Sequence, residues 1–268
     1  MNLKNKSKIM STISPNVRRF MAGSFFLLIC ASLPTQLCAQ GETLSAKEIL
    51  RRIDRNQNAE NRVLTSEMTI HGRRGSRTVK SNSWVEGTDK SFTEYVAPAR
   101  EKGTKMLKLG DQLWTYSPST DRTIKISGHL LRQSVMGSDL SYEDLMEDPS
   151  MEELYDATIE REEDIEGRAC WVLDLTAKDG GVAYAQRKIW VDQERFLPLR
   201  EHRFGKSGKL LKTTEVHEID RVGDRWVIRH VTFKDALKKG KGTEFRVEKV
   251  EFNTKIPSRI FSKASLRR

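Results

Sequence analysis

The sequence predicts a mainly β protein built around one meandering antiparallel sheet. Beyond the first 60 residues, short runs rich in Val, Ile, Thr and aromatic side chains alternate with turn residues. Hairpin tips such as "RRGS", "PSTD" and "GKSG" separate neighbouring runs, and no helical crossover interrupts them. Parallel strands need such crossovers, so about a dozen strands in hairpin order are expected.

Residues 1–39 are predicted to be an export signal rather than part of the sheet. The first 19 residues carry five basic side chains and no acid, and the apolar run "FMAGSFFLLICASL" follows. A basic region, a short apolar core and a small residue before the cut are typical of a secretory signal, with cleavage near Ala39. The apolar run is shorter than the roughly 20 residues of a membrane span. We therefore expect export without an anchor, and residues 40–268 as a single domain.

Charge and cysteine usage agree with export. Half of the net charge of +10 lies in the signal, and an exported protein rarely meets nucleic acid, so the remaining basic balance suits anionic lipid head groups better. Cys30 and Cys38 lie in the signal, which leaves Cys170 alone and predicts no internal disulfide. In the strand-like run "RACWVLDL", Cys170 is expected to be a small buried apolar residue.

One helix is predicted ahead of the strands. Ser45 and Glu48 have the spacing of a capping box, in which each side chain satisfies a backbone N–H at the helix start. Ile49, Leu50 and Ile53 then form an apolar stripe at helical spacing. This helix is expected to cover part of the apolar face of the sheet.

The run "TEFRVEKVEF" near the end of the chain predicts a bulged strand. Phe245 and Val247 alternate with polar residues, and so do Val250 and Phe252, but the period of two slips by one residue between the pairs. A β-bulge near Glu248 would keep all four on one face and bend the sheet.

An acidic, amphipathic segment covers residues 128–147 in the middle of the chain and is the other helix candidate besides a short C-terminal piece, "SRIFSKASL". Its apolar residues would form one apolar face, and Ser141 and Asp144 have the spacing of a capping box at a helix start. A metal site would need alternating oxygen ligands around a glycine, and that spacing is missing. Whether the segment is a mobile lid or a fixed part of the core stays open. Its acids include Asp139, Glu143, Asp144, Glu147 and Asp148.

Motifs for catalysis and metal binding do not stand out. The five histidines form no His-Glu-x-x-His pattern, "FGKSGK" lacks the upstream glycine of a phosphate-binding loop, and "GKSG" misses the nucleophile-elbow spacing by one residue. We therefore predict no catalytic residue, no metal, no cofactor and no enzymatic activity.

Four short motifs in sequence order give the chain a family resemblance. "KGT", "WTYSP", "MGSD" and "WVD" occur within "AREKGTKMLKLGDQLWTYSPSTDRTIKIS", "SVMGSDLSYEDL" and "RKIWVDQERFLPLREHRFGKSGKLLK". Together with the closing "KVEFNTKIPSRIFS", they resemble the exported outer-membrane lipoprotein-sorting (LolA-like) family, in its broader, mostly uncharacterised branch. The resemblance extends over about residues 42–265.

This resemblance implies a fold and a binding surface. The implied fold is a curved, unclosed antiparallel half-barrel of about eleven strands, with helices covering its concave side around a cavity for acyl chains. The best-known carriers latch the lid with an arginine, to which no residue of this sequence is matched. Trp114 and Tyr116 share one face of a strand, and all candidates could instead be ordinary core. The lining candidates are Phe92, Trp114, Tyr116, Leu131, Val135, Met136, Leu140 and Tyr142.

The function implied by the resemblance is carriage of lipoproteins or related lipids across the periplasm. The expected partners are their acyl chains, with an inner-membrane transporter as a further candidate, no nucleic acid, and a monomeric protein. Two other functions remain open: a sensing or adaptor module that binds a membrane protein, and a lipid-directed enzyme such as a hydrolase.

Overall fold

The protein is described by a computed structural model at residues 44–57, 59–72, 75–146 and 150–268. The predicted signal, its cleavage site at Ala39, and the acids Glu147 and Asp148 lie outside these ranges. The strands are β1 (Asn61–Gly72), β2 (Gly75–Glu86), β3 (Lys90–Ala97), β4 (Lys105–Leu109), β5 (Gln112–Ser117), β6 (Arg122–Ile126), β7 (Tyr155–Ile165), β8 (Arg168–Ala177), β9 (Gln186–Asp192), β10 (Pro198–Phe204), β11 (Leu210–Val222), β12 (Arg225–Asp235) and β13 (Thr243–Phe252).

These strands form one antiparallel sheet of 13 strands in the order β6-β5-β4-β3-β2-β1-β13-β12-β11-β10-β9-β8-β7. Two meanders of sequential hairpins meet where β1 pairs with β13. In the part of the chain that the structure describes, β6 and β7 stand at opposite ends of this order, so the sheet is not closed. The predicted unclosed antiparallel sheet is confirmed, with two strands more than the predicted eleven or so.

The predicted bulge in β13 is confirmed. Thr65 of β1 is opposite Lys249 and the next residue, Ser66, is opposite Val247, so Glu248 is the extra residue. Bulges of this kind increase the local twist and bend the strand. The consequence is that the apolar residues before and after Glu248 point to the same side of the sheet.

Helix α1 (Ala46–Gln57) begins and packs as the sequence predicts. The backbone N–H of Glu48 donates to Ser45 Oγ at 3.2 Å, which satisfies one of the free donors of the first turn. Ile49, Leu50 and Ile53 are buried against β7, β8 and β9, together with the short helix α3 (Met151–Leu154). Helix α1 thus covers one half of a sheet face.

The lid segment (residues 128–146) covers the other half of the same face, but it is not the single helix predicted over 128–147. It consists of two 3₁₀ turns, Gly128–Arg132 and Val135–Gly137, and one short helix, α2 (Tyr142–Met146). Met136 and Gly137 both have positive φ, 52° and 72°, which an α-helix does not allow. The chain therefore reverses direction at this point, and Ser134 and Ser141 form a β-bridge.

The C-terminal segment (residues 256–266) lies on the opposite face of the sheet. Adjacent residues of a strand point to opposite faces. Met106 and Leu113 pack under the lid segment, whereas their neighbours Leu107 and Trp114 pack against the C-terminal segment. The predicted C-terminal helix is instead two 3₁₀ turns, Ser258–Ile260 and Lys263–Leu266.

Cys170 is fully buried and has a free thiol, as predicted. Burial raises the pKa of this thiol to about 11, so it stays protonated and packs as a small apolar side chain.

Gly242 is a position where only glycine fits, which gives a first prediction. Its φ is +96°, and a Cβ atom there would lie 2.6 Å from the carbonyl oxygen of Phe233. We expect Gly242→Ala to lower the free energy of unfolding by at least about 2 kcal/mol, measured by urea denaturation, because strain and a backbone clash add. The matched control is Gly223→Ala, which has a positive φ of +64° but no atom within 4 Å of the added Cβ. Equal losses in the two variants would contradict the account.

Candidate functional site: a cavity beside the lid segment

A cavity of ≈ 520 Å³ lies on the inner face of the sheet, the face that carries α1 and the lid segment. Its wall comes from β1–β5, β12 and β13, and its border from the end of α1 and from α2. This volume falls within the roughly 300–1,000 Å³ of typical small-molecule sites. The wall includes Leu64, Met106, Leu113, Phe245, Val247, Val250 and Phe252.

The bulge in β13 explains why the part of the wall that this strand supplies is apolar. Phe245, Val247, Val250 and Phe252 all line the cavity, although a regular strand would turn one pair away from the other. On β2 and β3 the lining side chains include the small hydroxyl residues Ser83, Ser91 and Thr93, which leave room for the cavity. The sequence pattern that predicts the bulge thus also builds one wall of the site.

The eight predicted lining residues separate into two groups. Five of them, all in the lid segment, contact the apolar cluster of Met68, Ile70, Val79, Tyr95 and Met106 under the lid: Leu131, Val135, Met136, Leu140 and Tyr142. The other three, Phe92, Trp114 and Tyr116, lie on the opposite face beneath the C-terminal segment. None of the eight borders the cavity, whose lid contribution comes from Asp144 and Leu145.

Asp144 fastens α2 to the sheet. Its side chain is 3% exposed and forms ion pairs with Lys212 and with Arg203, whose Nη1 lies 3.4 Å away. Tyr184 donates its hydroxyl to the same carboxylate, and the Ser141 backbone N–H donates at 2.6 Å. Burial by itself would raise the pKa of Asp144, but Lys212 and these hydrogen bonds outweigh it and hold the pKa below its usual value.

Asp139 fastens the middle of the lid segment in the same way. The hydroxyl of Thr243 donates to Asp139 Oδ2 at 2.8 Å, and the backbone N–H of Asp235 donates to Oδ1 at 2.9 Å. Lys212 also donates to the backbone carbonyl of Asp139 at 2.9 Å. Lys212 of β11 therefore contacts both Asp139 and Asp144 of the lid segment.

Two further cations bind backbone carbonyls at the turn of the lid segment. Arg77 donates to the carbonyl of Met136, the residue with positive φ. Lys238, in the β12–β13 hairpin, donates to the Ser138 carbonyl at 2.7 Å and to Ser134 Oγ at 2.6 Å. These polar contacts add to the apolar contacts that the lid segment makes with the cluster beneath it.

A buried ion pair lies in the sheet beside Asp144. Glu201 forms ion pairs with Arg187 and Arg203, and the Arg203 Nη2 to Glu201 Oε2 distance is 3.0 Å. Burial would raise the pKa of Glu201, but the two guanidinium groups outweigh it and lower the pKa to about 2. Because Arg203 also contacts Asp144, this pair supports the attachment of the lid segment.

Asp139 and Asp144 of the lid segment thus act as acceptors for donors elsewhere in the fold. Sequence spacing reveals only the local part, the Ser141–Asp144 capping box, in which the Asp144 N–H donates to Ser141 Oγ at 3.3 Å. The other partners come from strands far along the chain, and nothing in the local pattern identifies them.

Among the described residues, no three His, Cys, Asp or Glu side chains are grouped to hold a metal ion. None of the described helices is long and apolar enough to cross a membrane.

Comparisons with solved structures show the same fold. A domain from Vibrio parahaemolyticus, described as an outer membrane lipoprotein-sorting protein domain, is 24% identical with a TM-score of 0.73, covering 83% of this chain and 98% of that one. A DUF1329 family protein from Desulfovibrio piger is 23% identical with a TM-score of 0.75, covering 82% and 97%. A LolA superfamily protein from Nitrosomonas europaea is 24% identical with a TM-score of 0.66, covering 83% and 99%.

Sequence comparisons identify a family. No curated protein matches the chain. Residues 87–268, more than half of the chain, match a family model whose description is "Uncharacterized protein". The resemblance indicated by the sequence motifs is confirmed by the fold. The chain therefore belongs to this family, and its own fold is LolA-like.

Proposed function

We propose that this protein is a periplasmic carrier that binds the acyl chains of lipoproteins or related lipids in the cavity beside the lid segment. The observation that carries the proposal is an apolar-walled cavity of ≈ 520 Å³ on the inner face of an unclosed sheet, bordered by a segment that polar contacts hold in place. The LolA-like fold of the solved neighbours supports it.

The physical need for such a cavity follows from the cost of exposing acyl chains to water. Each methylene group that leaves water gains about 0.8 kcal/mol, so one long chain gains on the order of 10 kcal/mol. A soluble carrier must provide a comparable apolar surface. Binding and release require no covalent step.

The lid segment supplies the means of exchange. Leu145 lines the cavity and is still 39% exposed, so an entering chain would cover an apolar side chain that is otherwise partly in water. The lid segment rests on an apolar cluster that includes two methionines, Met68 and Met106, which repack easily. When a cargo chain enters, α2 is displaced and the ion pairs of Asp144 break. When the chain leaves, these ion pairs form again.

The remaining parts of the proposal concern location and partners. Export would follow from the predicted signal, with cleavage near Ala39, and the carrier would act as a monomer. A transporter in the inner membrane would load it. No catalytic residue, metal or cofactor has a part in this mechanism.

A titration with a fluorescent fatty acid tests the proposal. The purified protein, with residues 1–39 removed, should show saturable binding of one ligand per chain, and an unlabelled fatty acid should displace it. Lipid extraction followed by mass spectrometry should recover an acyl-chain compound from protein purified without detergent. Non-saturable binding together with a lipid-free extract would refute the proposal.

Filling the cavity should abolish binding while leaving the fold intact. Ser91 lines the cavity and forms no side-chain hydrogen bond in the described part of the chain, so Ser91→Trp adds bulk without removing a contact. We expect at least a tenfold loss of affinity in the same titration, because the indole occupies the space of the acyl chain.

The matched control for Ser91→Trp is Ile159→Trp. Ile159 is 40% exposed on the edge strand β7, outside the cavity. This control should bind as the wild type does. Unchanged affinity in Ser91→Trp, with its thermal unfolding also unchanged, would mean that the acyl chain lies elsewhere.

A further inference from the structure

We propose that Arg62 anchors the acidic head group of an amphiphile whose acyl chain fills the cavity, an inference that rests on the proposed function and specifies its ligand. The ligand class is a chain with a carboxylate or phosphate at one end. The position of Arg62, the absence of a counter-ion for it among the described residues and the charge of the cavity each support this assignment.

Arg62 lies at one end of the cavity wall. On β1 it is opposite Val85 of β2 and Phe252 of β13, and all three residues line the cavity. Arg62 therefore lies next to the apolar wall, as an anchor for the polar end of a bound chain should.

Among the residues that the structure describes, the guanidinium has one partner. Nη1 donates to the backbone carbonyl of Gln57 at 2.8 Å, and in the described part of the chain no carboxylate forms an ion pair with Arg62. Burial lowers its pKa from the usual value, and no nearby acid opposes this. Arg187 and Arg203, which are also shielded from water, both pair with Glu201. A shielded cation without a counter-ion is costly unless a ligand supplies one.

The other charges of the cavity favour an anion. Lys90 and Lys108 also line it, and Lys90 pairs with Glu86 outside the lining at 2.5 Å. Asp144 is the one carboxylate among the lining residues that the structure describes, and its oxygens already accept from Lys212, Tyr184 and Ser141. An anionic head group would thus meet Arg62 without facing a competing free acid.

A second role for Arg62 has to be separated from this one. Gln57 is the last residue of α1, and a cation that donates to the final carbonyls stabilises a helix end. Such a capping role would affect stability, but it would not distinguish a charged ligand from a neutral ligand with the same chain.

The experiment compares ligands of equal chain length that displace a neutral fluorescent probe: a 16-carbon fatty acid, its methyl ester, and the lysophosphatidic acid of the same chain. At pH 8, wild-type protein should prefer an acidic ligand over the ester by about tenfold or more, the effect of a charge-assisted hydrogen bond. Arg62→Gln should reduce this preference to about one while ester affinity stays within about twofold, and Arg62→Lys should retain part of it.

Arg225→Gln is the matched control. Arg225 also donates to a carbonyl near the end of α1, that of Arg55 at 3.3 Å, but it is not among the cavity-lining residues. The Arg225→Gln variant should prefer the acidic ligand over the ester as strongly as the wild type does.

The outcomes separate the two proposals. If the wild type binds acid and ester equally, the head-group anchor is wrong while the carrier function stands. If Arg62→Gln weakens both ligands equally, Arg62 only caps the helix and the inference is overturned. If the wild type binds none of the three ligands, the proposed function itself fails. If Arg62→Gln does not fold, the wild-type preference and the Arg62→Lys variant decide.

Discussion

Replacing Asp144 by asparagine is expected to detach the lid segment. The substitution keeps the size of the side chain but leaves Lys212 and Arg203 without this buried carboxylate. Breaking one side of a buried ion pair typically costs about 3–5 kcal/mol. We expect a loss of this order in the free energy of unfolding, or the same loss expressed locally as opening of the lid segment. Urea denaturation measures the first, and amide hydrogen exchange over residues 128–146 the second.

The double variant Asp144→Asn with Lys212→Met provides the control for this prediction. Removing both charges eliminates the unpaired lysine, so part of the loss should return. The single variant should also exchange a bound fatty acid faster than the wild type, since α2 borders the cavity. Unchanged stability and unchanged amide protection in the single variant would show that Asp144 does not fasten the lid segment.

Glu201 is expected to make the stability of the protein depend on acid pH. Its pKa is about 2 in the folded protein and near the ordinary value of 4.5 when unfolded. A carboxyl whose folded pKa is lowered stabilises the fold above the unfolded pKa, and that contribution is lost as the pH falls from about 4.5 towards 2. A difference of about 2.5 pKa units corresponds to roughly 3 kcal/mol.

The comparison of wild type with Glu201→Gln isolates this contribution. At pH 6 the variant should be less stable by roughly 3 kcal/mol or more, because Arg187 and Arg203 lose their shared carboxylate. As the pH falls to 2.5, the difference in the free energy of unfolding between the two proteins should shrink. The reason is that the Glu201 carboxyl of the wild type then loses most of its contribution to stability. Urea denaturation at several pH values measures this. A difference that stays constant between pH 6 and pH 2.5 would contradict the assigned pKa.

Local patterns predict the parts of the fold that depend on local interactions. The start of α1 depends on Ser45 and Glu48, and the bulge in β13 on the position of Glu248 between two apolar pairs. The lid segment does not form the helix that its pattern predicts. Tertiary contacts of Arg77 and Lys238 stabilise a turn there instead, at Met136 and Gly137. Composition and periodicity contain no information about such contacts.

The candidate site was harder to predict than the fold. Period-two alternation shows that Trp114 and Tyr116 share a face, but not that this face lies opposite the lid segment. Asp139 contacts Thr243 across 104 positions of the chain, and Asp144 contacts Lys212 across 68. A single sequence does not show pairings over such distances, so local spacing identifies the acidic residues but not their partners.

The most direct test of the central claim is to map where an acyl chain binds. A fatty acid with a photoreactive diazirine on its chain would be bound, irradiated and located by peptide mass spectrometry. The account predicts saturable labelling confined to the cavity wall, in β1–β5, β12 and β13, with loss of labelling in Ser91→Trp. Labelling beneath the C-terminal segment around Trp114, or no saturable labelling, would contradict it.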